Sequence, residues 1–154
     1  MSRPAAPLPD LTETEVIYLA GLLDGEGCIS IDRSGDKRSP GRVYHSLRVT
    51  ITNTDPRLIA WLKEKLDTSA SMTTSAANLR LGRRPVFQVG VRSRKAATLL
   101  SRVRPYLIVK AEQADVALAF QQLIQPQSKN WMGAPNNPER EDKRLQLIAI
   151  RREA

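Results

Sequence analysis

The sequence lacks the residues on which several classes of protein depend. Among 154 residues there is one cysteine, Cys28, and one histidine, His45. A single cysteine excludes an internal disulfide, and a lone histidine without neighbouring ligand residues does not indicate a metal centre. The longest apolar run covers residues 16–23, well short of the ~20 residues that cross a bilayer. We therefore expect neither a disulfide-stapled scaffold nor a membrane-spanning helix.

The N-terminal segment lacks the apolar stretch of an export signal. Its sequence, M-S-R-P-A-A-P-L-P-D, has prolines where such a signal would need uninterrupted apolar residues. We expect residues 1–11 to form a flexible arm. Together with the single cysteine, this predicts an intracellular protein in a bacterial or phage cytoplasm or an organelle interior, and not a secreted one.

Acidic residues are missing from two long stretches, 37–54 and 68–111. Lysine and arginine number 24 against 16 acids, which gives a net charge of +8. An excess of this size favours a polyanionic partner such as nucleic acid. The alternative is a basic surface that only meets solvent.

The first half of the chain predicts a helix, two strands and a second helix. The segment T-E-T-E at 12–15 has the spacing of a capping box, so a helix begins near residue 13 and ends at about Asp24, where glycines follow. Alternating apolar and polar residues predict strands around 29–32 and 44–52. Pro56 suits the first turn of a helix that ends at about residue 66.

The second half repeats this order. The segment P-V-F-Q-V-G-V predicts a strand that pairs with the Ser/Thr-rich segment before it as a second hairpin. Ser93 is placed to cap a helix that Pro105 stops, and another helix covers about 110–124. Asn137 and Pro138 begin a last helix after a polar loop.

The order of these elements predicts an α+β domain. The core covers residues 12–125, with helices on one face of the sheet and the other face left for a ligand. Residues 126–154 form a loop and a C-terminal helix packed on the core. Outward residues of the strands then become candidates for contact with that ligand.

Two acids stand at the wrong end of the first helix. A helix C-terminus carries partial negative charge, so Asp24 and Glu26 are unfavourable there, and a broken local rule often marks a functional site. The alternative is a hydrated acidic turn. Gly21 and Gly25, beside Ala20, allow a close approach by another helix, either of a second copy or of the same chain.

The segment L-A-G-L-L-D-G-E-G resembles the signature of the LAGLIDADG homing endonucleases. Six of its nine letters are identical, and Leu23, Gly25 and Glu26 replace isoleucine, alanine and aspartate. The segments R-V-T-I-T-N-T-D-P and P-Y-L-I-V-K-A-E-Q resemble later parts of the family in the expected order. The resemblance covers residues 18–120.

The resemblance implies an αββαββα core whose four-stranded antiparallel sheet binds double-stranded DNA in the major groove. It implies Mg²⁺-dependent, site-specific cleavage of both strands in the service of intron or intein homing. Because the chain has one copy of the motif, it implies a homodimer on a pseudo-palindromic target. The interface would be built from the motif helix, at Ala20, Gly21, Asp24 and Gly25.

The resemblance also assigns active-site roles. Glu26 matches the metal-binding acid, with the Gly25 carbonyl as a second ligand, and two or three Mg²⁺ ions are implied per dimer. Lys110 matches the active-site lysine. Asn53 occupies the position of a residue that organises water, and Arg57 that of a basic residue near the phosphate. Two carboxylates that face one phosphate suit two-metal hydrolysis.

The alternation of the strands supplies the candidate DNA contacts. The residues expected to face the bases are Ser30, Asp32, Ser34, Tyr44, Ser46, Arg48, Thr50, Gln88 and Arg92. Arginine and glutamine side chains make paired hydrogen bonds to guanine and adenine edges. The residues expected to hold phosphates are Arg83, Arg84, Arg94 and Lys95.

Two other functions fit the same scaffold. One is a non-catalytic DNA- or RNA-binding protein, such as an intron maturase or a transcription regulator. The other is a degenerate element that has kept only the dimeric fold. The presence of Glu26, Lys110 and Asn53 favours the nuclease.

Overall fold

The computed structural model describes residues 8–35, 37–124 and 137–153. Its helices are α1 (Glu13–Glu26), α2 (Pro56–Leu66), α3 (Ala76–Arg80), α4 (Ser93–Val103), α5 (Ala111–Gln122) and α6 (Pro138–Glu153). Its strands are β1 (Gly27–Gly35), β2 (Val43–Asn53), β3 (Ala70–Met72) and β4 (Phe87–Arg92). The predicted α+β class and element order are confirmed.

The strands form one antiparallel sheet in the order β1-β2-β4-β3. Both predicted hairpins are present, and the central pairing joins β2 to β4, with Val49 opposite Val91. The second hairpin differs from the prediction because the short helix α3 lies between its strands. Ser75 caps α3 by accepting a hydrogen bond from the Asn78 amide.

The core lies on one face of the sheet, because apolar residues recur at every second position of its main strands. The buried apolar residues of the strands are Ile29, Ile31, Leu47, Val49, Ile51, Val89 and Val91. Helices α1, α2, α4 and α5 pack on the sheet and bury their own apolar residues against it. The opposite face carries the polar residues of the alternation, as predicted.

Both ends of the chain contain predictions that fall partly outside the described residues. Within the predicted arm, Leu8 is buried and the Pro9 carbonyl accepts a hydrogen bond from Arg102, so this part is held on the core. The rest of the predicted arm, 1–7, lies outside the described residues, as do residues 125–136 of the predicted loop.

The C-terminal helix α6 packs on α5 and β1. Within the described ranges, no helix is both long and apolar enough for a membrane crossing.

Two helix ends differ from the prediction. Helix α1 continues through Gly25 to Glu26, two residues past the predicted end, and Gly27 is its C-cap. Ser93 does not cap α4: it is the first helical residue, has a φ of +54°, and follows an extended Arg92. Helix α4 has no side-chain cap, and its four buried residues hold it against the core.

Candidate active site

The last turn of α1 passes into β1 without a connecting loop. The Gly27 amide caps the helix by donating to the Leu23 carbonyl. A Cβ at Gly27 would lie 2.6 Å from Leu23 Cδ2 and 2.8 Å from its Cα. Only glycine fits this direct transition from helix to strand. As a result, Glu26 stands exposed at the junction between the helix and the sheet.

Asn53 holds the Glu26 carboxylate. Its Nδ2 donates to Glu26 Oε2 at 2.6 Å. The Asn53 Oδ1 in turn accepts from the Asp55 amide at 2.8 Å, which fixes the side-chain amide with its NH₂ toward Glu26. Strand β2 brings these residues together, because Ile51 pairs with Gly27. Two of the four predicted catalytic residues are therefore in contact.

Asp24 links the same turn of α1 to the start of α5. Its carboxylate accepts hydrogen bonds from the amides of Ile108 at 2.8 Å, Val109 at 3.1 Å and Lys110 at 3.0 Å. These donors lie in the segment that leads into α5, a helix that has no side-chain cap of its own. The acid at the unfavourable end of α1 therefore fixes the entry to another helix of the same chain.

Lys110 is held by the backbone of the motif. Its Nζ donates to the Asp24 carbonyl at 2.7 Å, and the side chain is partly buried. Asp24 therefore holds Lys110 twice, through the carboxylate and through the carbonyl. Lys110 is therefore fixed to the last turn of α1, of which Glu26 is part. The resemblance implied that these two residues lie near each other, although 84 positions separate them in the sequence.

Arg57 has a different partner. Its guanidinium pairs with Asp55 at 2.7 Å, and its side chain is 90% exposed. Hydrogen bonds from Arg57 lower the pKa of Asp55 to about 2, so this carboxylate stays charged as the cap of α2. The structure therefore joins Arg57 to the start of α2, and Arg57 remains only a candidate for phosphate contact.

A stripe of α1 is open to solvent. We call the exposed residues Ile17, Tyr18, Gly21 and Gly25 the α1 stripe. A Cβ placed on either glycine meets no atom within 4 Å, so its small size is not required by packing inside the chain. Ala20 is 1% exposed and belongs to the core. Its side chain therefore packs inside the chain and is not part of the α1 stripe, and its predicted place in a dimer interface stays a prediction.

The polar face of the sheet carries the predicted base-reading residues in register. Ser30 pairs with Arg48, which pairs with Arg92. Thr50 differs from the others because it is only 7% exposed. Its γ-methyl lies against Gly90, where a Cβ would come within 3.1 Å of it. Thr50 is therefore poorly placed to contact a large ligand.

A groove of about 400 Å³ crosses this face. Its polar lining includes Thr68, Ser69 and Ser71, which the strand pattern missed, and Lys95 of α4, which was predicted to hold a phosphate. Ser71 lies in β3 and the other two precede it, where the Ser/Thr-rich surroundings of this three-residue strand gave no clear alternation. Thr68 donates its hydroxyl hydrogen to the Gly90 carbonyl at 2.9 Å, which fixes this wall of the groove.

The arginines predicted to hold phosphates precede and follow β4 in the chain and do not line the groove. Arg83 and Arg84 are exposed in the connection between α3 and β4, after Gly82 with a φ of +76°. Arg94 is exposed in the first turn of α4. Their exposure leaves them accessible to a large anionic partner.

Several solved structures share this fold. The chain is similar to the homing endonuclease I-CvuI in complex with the I-CreI target, with a TM-score of 0.68 and 16% identity over 90% of this chain and 82% of that one. The archaeal intron-encoded homing endonuclease I-Vdi141I, complexed with DNA, also gives 0.68 and 16%, over 90% and 84%. The LAGLIDADG meganuclease I-AabMI, bound to uncleaved DNA, gives 0.52 and 20%, over 71% and 36%. No family model and no curated protein matches the chain.

The fold and the arrangement of its motif define a protein with the homing-endonuclease architecture. More particularly, it has the α+β fold of the LAGLIDADG homing endonucleases. The expectation drawn from the motif in α1 is confirmed at the level of the fold.

Proposed function

We propose that this protein is a site-specific DNA endonuclease that acts as a homodimer and requires Mg²⁺. The observation that carries the proposal is the exposed Glu26, fixed by Asn53 and placed on the same turn of α1 as the anchor of Lys110. An acid, an amide and an amine gathered beside a polar sheet face suit hydrolysis of a phosphodiester. The solved structures of this fold with DNA support the substrate.

Each residue has a role that its contacts allow. The Asn53 amide donates to Glu26 and holds its carboxylate toward the reacting centre. Lys110 carries a positive charge that stabilises the negative charge developing on the phosphate. Asp24 positions Lys110 and does not itself ligate a metal, because its oxygens are already engaged by the amides before α5.

The oxygen donors at the end of α1 fit a hard divalent cation. Within the described residues, no group of three or more His, Cys, Asp or Glu side chains can hold a metal. Magnesium keeps several waters and needs only one or two carboxylates together with phosphate oxygens, so Glu26 and the Gly25 carbonyl of two subunits would suffice. When bound, the ion supplies Lewis-acid activation of water and of the leaving oxygen. Structures of I-CvuI with Mg and with Ca are consistent with such a requirement.

The second subunit is proposed on two grounds. One chain supplies a single Glu26, and the α1 stripe leaves room for a helix to approach closely. Pairing of two α1 helices would bring both Glu26 side chains to one symmetry axis.

The test is a cleavage selection that needs no known target. Plasmids carrying random inserts are incubated with the purified protein and Mg²⁺, and the ends of linearised molecules are sequenced. The proposal predicts linear products that share a pseudo-palindromic site and disappear with EDTA. Sequence-selective binding without cleavage would support the non-catalytic alternative, and a stable dimer without DNA selectivity would support the degenerate element.

A further inference from the structure

Asp32 differs from the other residues predicted to face the bases because it is an acid. It is the only acid in the four strands β1 to β4, and it lies on the face that the proposed function assigns to DNA. A carboxylate repels the phosphates of a duplex, so its presence lowers the affinity for DNA of any sequence. Asp32 must therefore contribute a property other than affinity for DNA.

Asp32 joins two arginines that come from two other strands. Its Oδ2 accepts from Arg92 Nη1 at 3.1 Å, and Arg48 Nε lies 3.2 Å from the same oxygen. Arg48 and Arg92 are direct partners in the pairing of β2 with β4. Like charges directly opposite one another destabilise a sheet, and the carboxylate between them offsets this repulsion.

A purely structural role does not account for the cluster of Asp32, Arg48 and Arg92. The Asp32, Arg48 and Arg92 side chains are 28%, 36% and 58% exposed. Ion pairs at such exposure contribute only ~0–1 kcal/mol to stability. The arrangement has a larger effect on the arginines themselves, because a free arginine side chain samples many rotamers, of which few present its planar donors to a base edge.

The two arginines also face open space. Both line the groove of about 400 Å³, whose other wall includes Gln88 and Ser71. Arginine donates two parallel hydrogen bonds to O6 and N7 of guanine, whereas glutamine donates one hydrogen bond to N7 of adenine and accepts one from its N6 amino group. The groove therefore offers a row of base-reading donors, with the arginines held at one side by Asp32.

We propose that Asp32 is a specificity-determining positioning residue: it holds Arg48 and Arg92 for readout of neighbouring bases and keeps them from phosphates. The inference rests on the proposed function, because it requires the sheet to face DNA. Asp32 thereby lowers the affinity for DNA of any sequence and increases the difference in affinity between sequences. Its neutral isostere should shift the protein toward tight but indiscriminate binding.

The test compares wild type with Asp32→Asn in a selection of bound sequences from random duplex DNA. The duplex recovered with wild type and a shuffled version of it then serve as probes for dissociation constants over a range of salt concentrations. We expect the ratio of shuffled to selected dissociation constants to fall roughly 5- to 150-fold, the value of one bidentate base contact. We also expect tighter binding of the shuffled duplex and a steeper salt dependence, because released arginines reach phosphates.

Two further variants make the result specific. Glu64→Gln removes one negative charge from the exposed face of α2 and should leave the ratio unchanged. Arg92→Gln should weaken selection at the base positions that Asp32→Asn weakens. Melting curves of all the variants show whether each one is folded.

Several outcomes would overturn the inference. One is a ratio that Asp32→Asn leaves intact while wild type selects a clear consensus. Another is that Asp32→Asn loses selection at a single cytosine but keeps selection at the positions that depend on the arginines. Asp32 would then read a base itself. If wild type selects no consensus at all, the proposed function fails and this inference fails with it.

Discussion

The C-terminal ends of α1 and α6 carry opposite charges. Helix α6 has acids in its first turn and Arg151 and Arg152 in its last, as the helix dipole favours. Helix α1 also begins with acids, but its last turn has no basic residue and contains Asp24 and Glu26. The dipole alone would stabilise the first arrangement and destabilise the second.

The contacts of the two α1 acids show what the difference means. Three backbone amides of the same chain donate hydrogen bonds to Asp24, which offset its unfavourable interaction with the helix dipole. Asp24 is therefore a structural acid. Glu26 is exposed and has the Asn53 amide as its contact. Of the two, Glu26 is the carboxylate to which the proposed function assigns a cation. On that proposal, the comparison separates a residue that builds the site from one that acts in it.

The largest effect is expected from Glu26→Gln. Loss of the charge should reduce cleavage at least ~100- to 1,000-fold, the range seen when one catalytic electrostatic group is removed. Binding to the recovered target should persist, because the sheet face is unchanged. Plasmid linearisation and fluorescence anisotropy measure the two effects. Glu139→Gln, an exposed acid in the first turn of α6, is the matched control.

The next largest effect is expected from Gly21→Leu. A side chain on the α1 stripe meets open space within one chain, so the monomer should fold, with a gain of up to ~1 kcal/mol in helix propensity. A closely packed helix pair could not accommodate it. We expect sedimentation to change from dimer to monomer and cleavage to be lost. Ser101→Leu, on the exposed face of α4, should change neither.

A moderate effect is expected from Asp24→Asn. Asparagine keeps the shape of the side chain but replaces one accepting oxygen by an NH₂ group and removes the charge, which should lower the free energy of unfolding by ~1–3 kcal/mol. The turnover number should fall as well, because the backbone of Lys110 is held less firmly. Asp115→Asn, on the same helix, removes an exposed pair with Arg104 and provides the control. Equal turnover in the two variants would argue against a positioning role for Asp24.

The smallest effect concerns the attachment of α6. Hydrogen bonds from Arg144 and then from His45 lower the pKa of Glu141 to about 2 from 4.5. Because the folded pKa is depressed, this stabilisation is complete above pH 4.5 and is lost as the pH falls toward about 2. Hydrogen exchange should show α6 losing protection within that range. Glu141→Gln should remove this pH dependence, and a retained dependence would contradict its origin in Glu141.

The sequence predicted what depends on local pattern. The two-residue alternation located β2 and β4, and Pro56, with Asp55 as its cap, begins α2 as expected. It did not predict that Asp24 binds the segment leading into α5, since these residues are 84 or more positions apart. The inward position of Ala20 also depends on packing, because small residues at helical spacing fit a core as well as an interface.

The central claim is that two copies of Glu26 act together on one target. Co-expression of wild type with Glu26→Gln in known proportions yields mixed dimers, whose double-strand cleavage can be measured on the recovered site. If both acids are needed, linear product should fall as the square of the wild-type fraction, and mixed dimers should leave nicked circles. A fall in simple proportion to that fraction, without nicked circles, would mean that each subunit acts alone and would contradict the account.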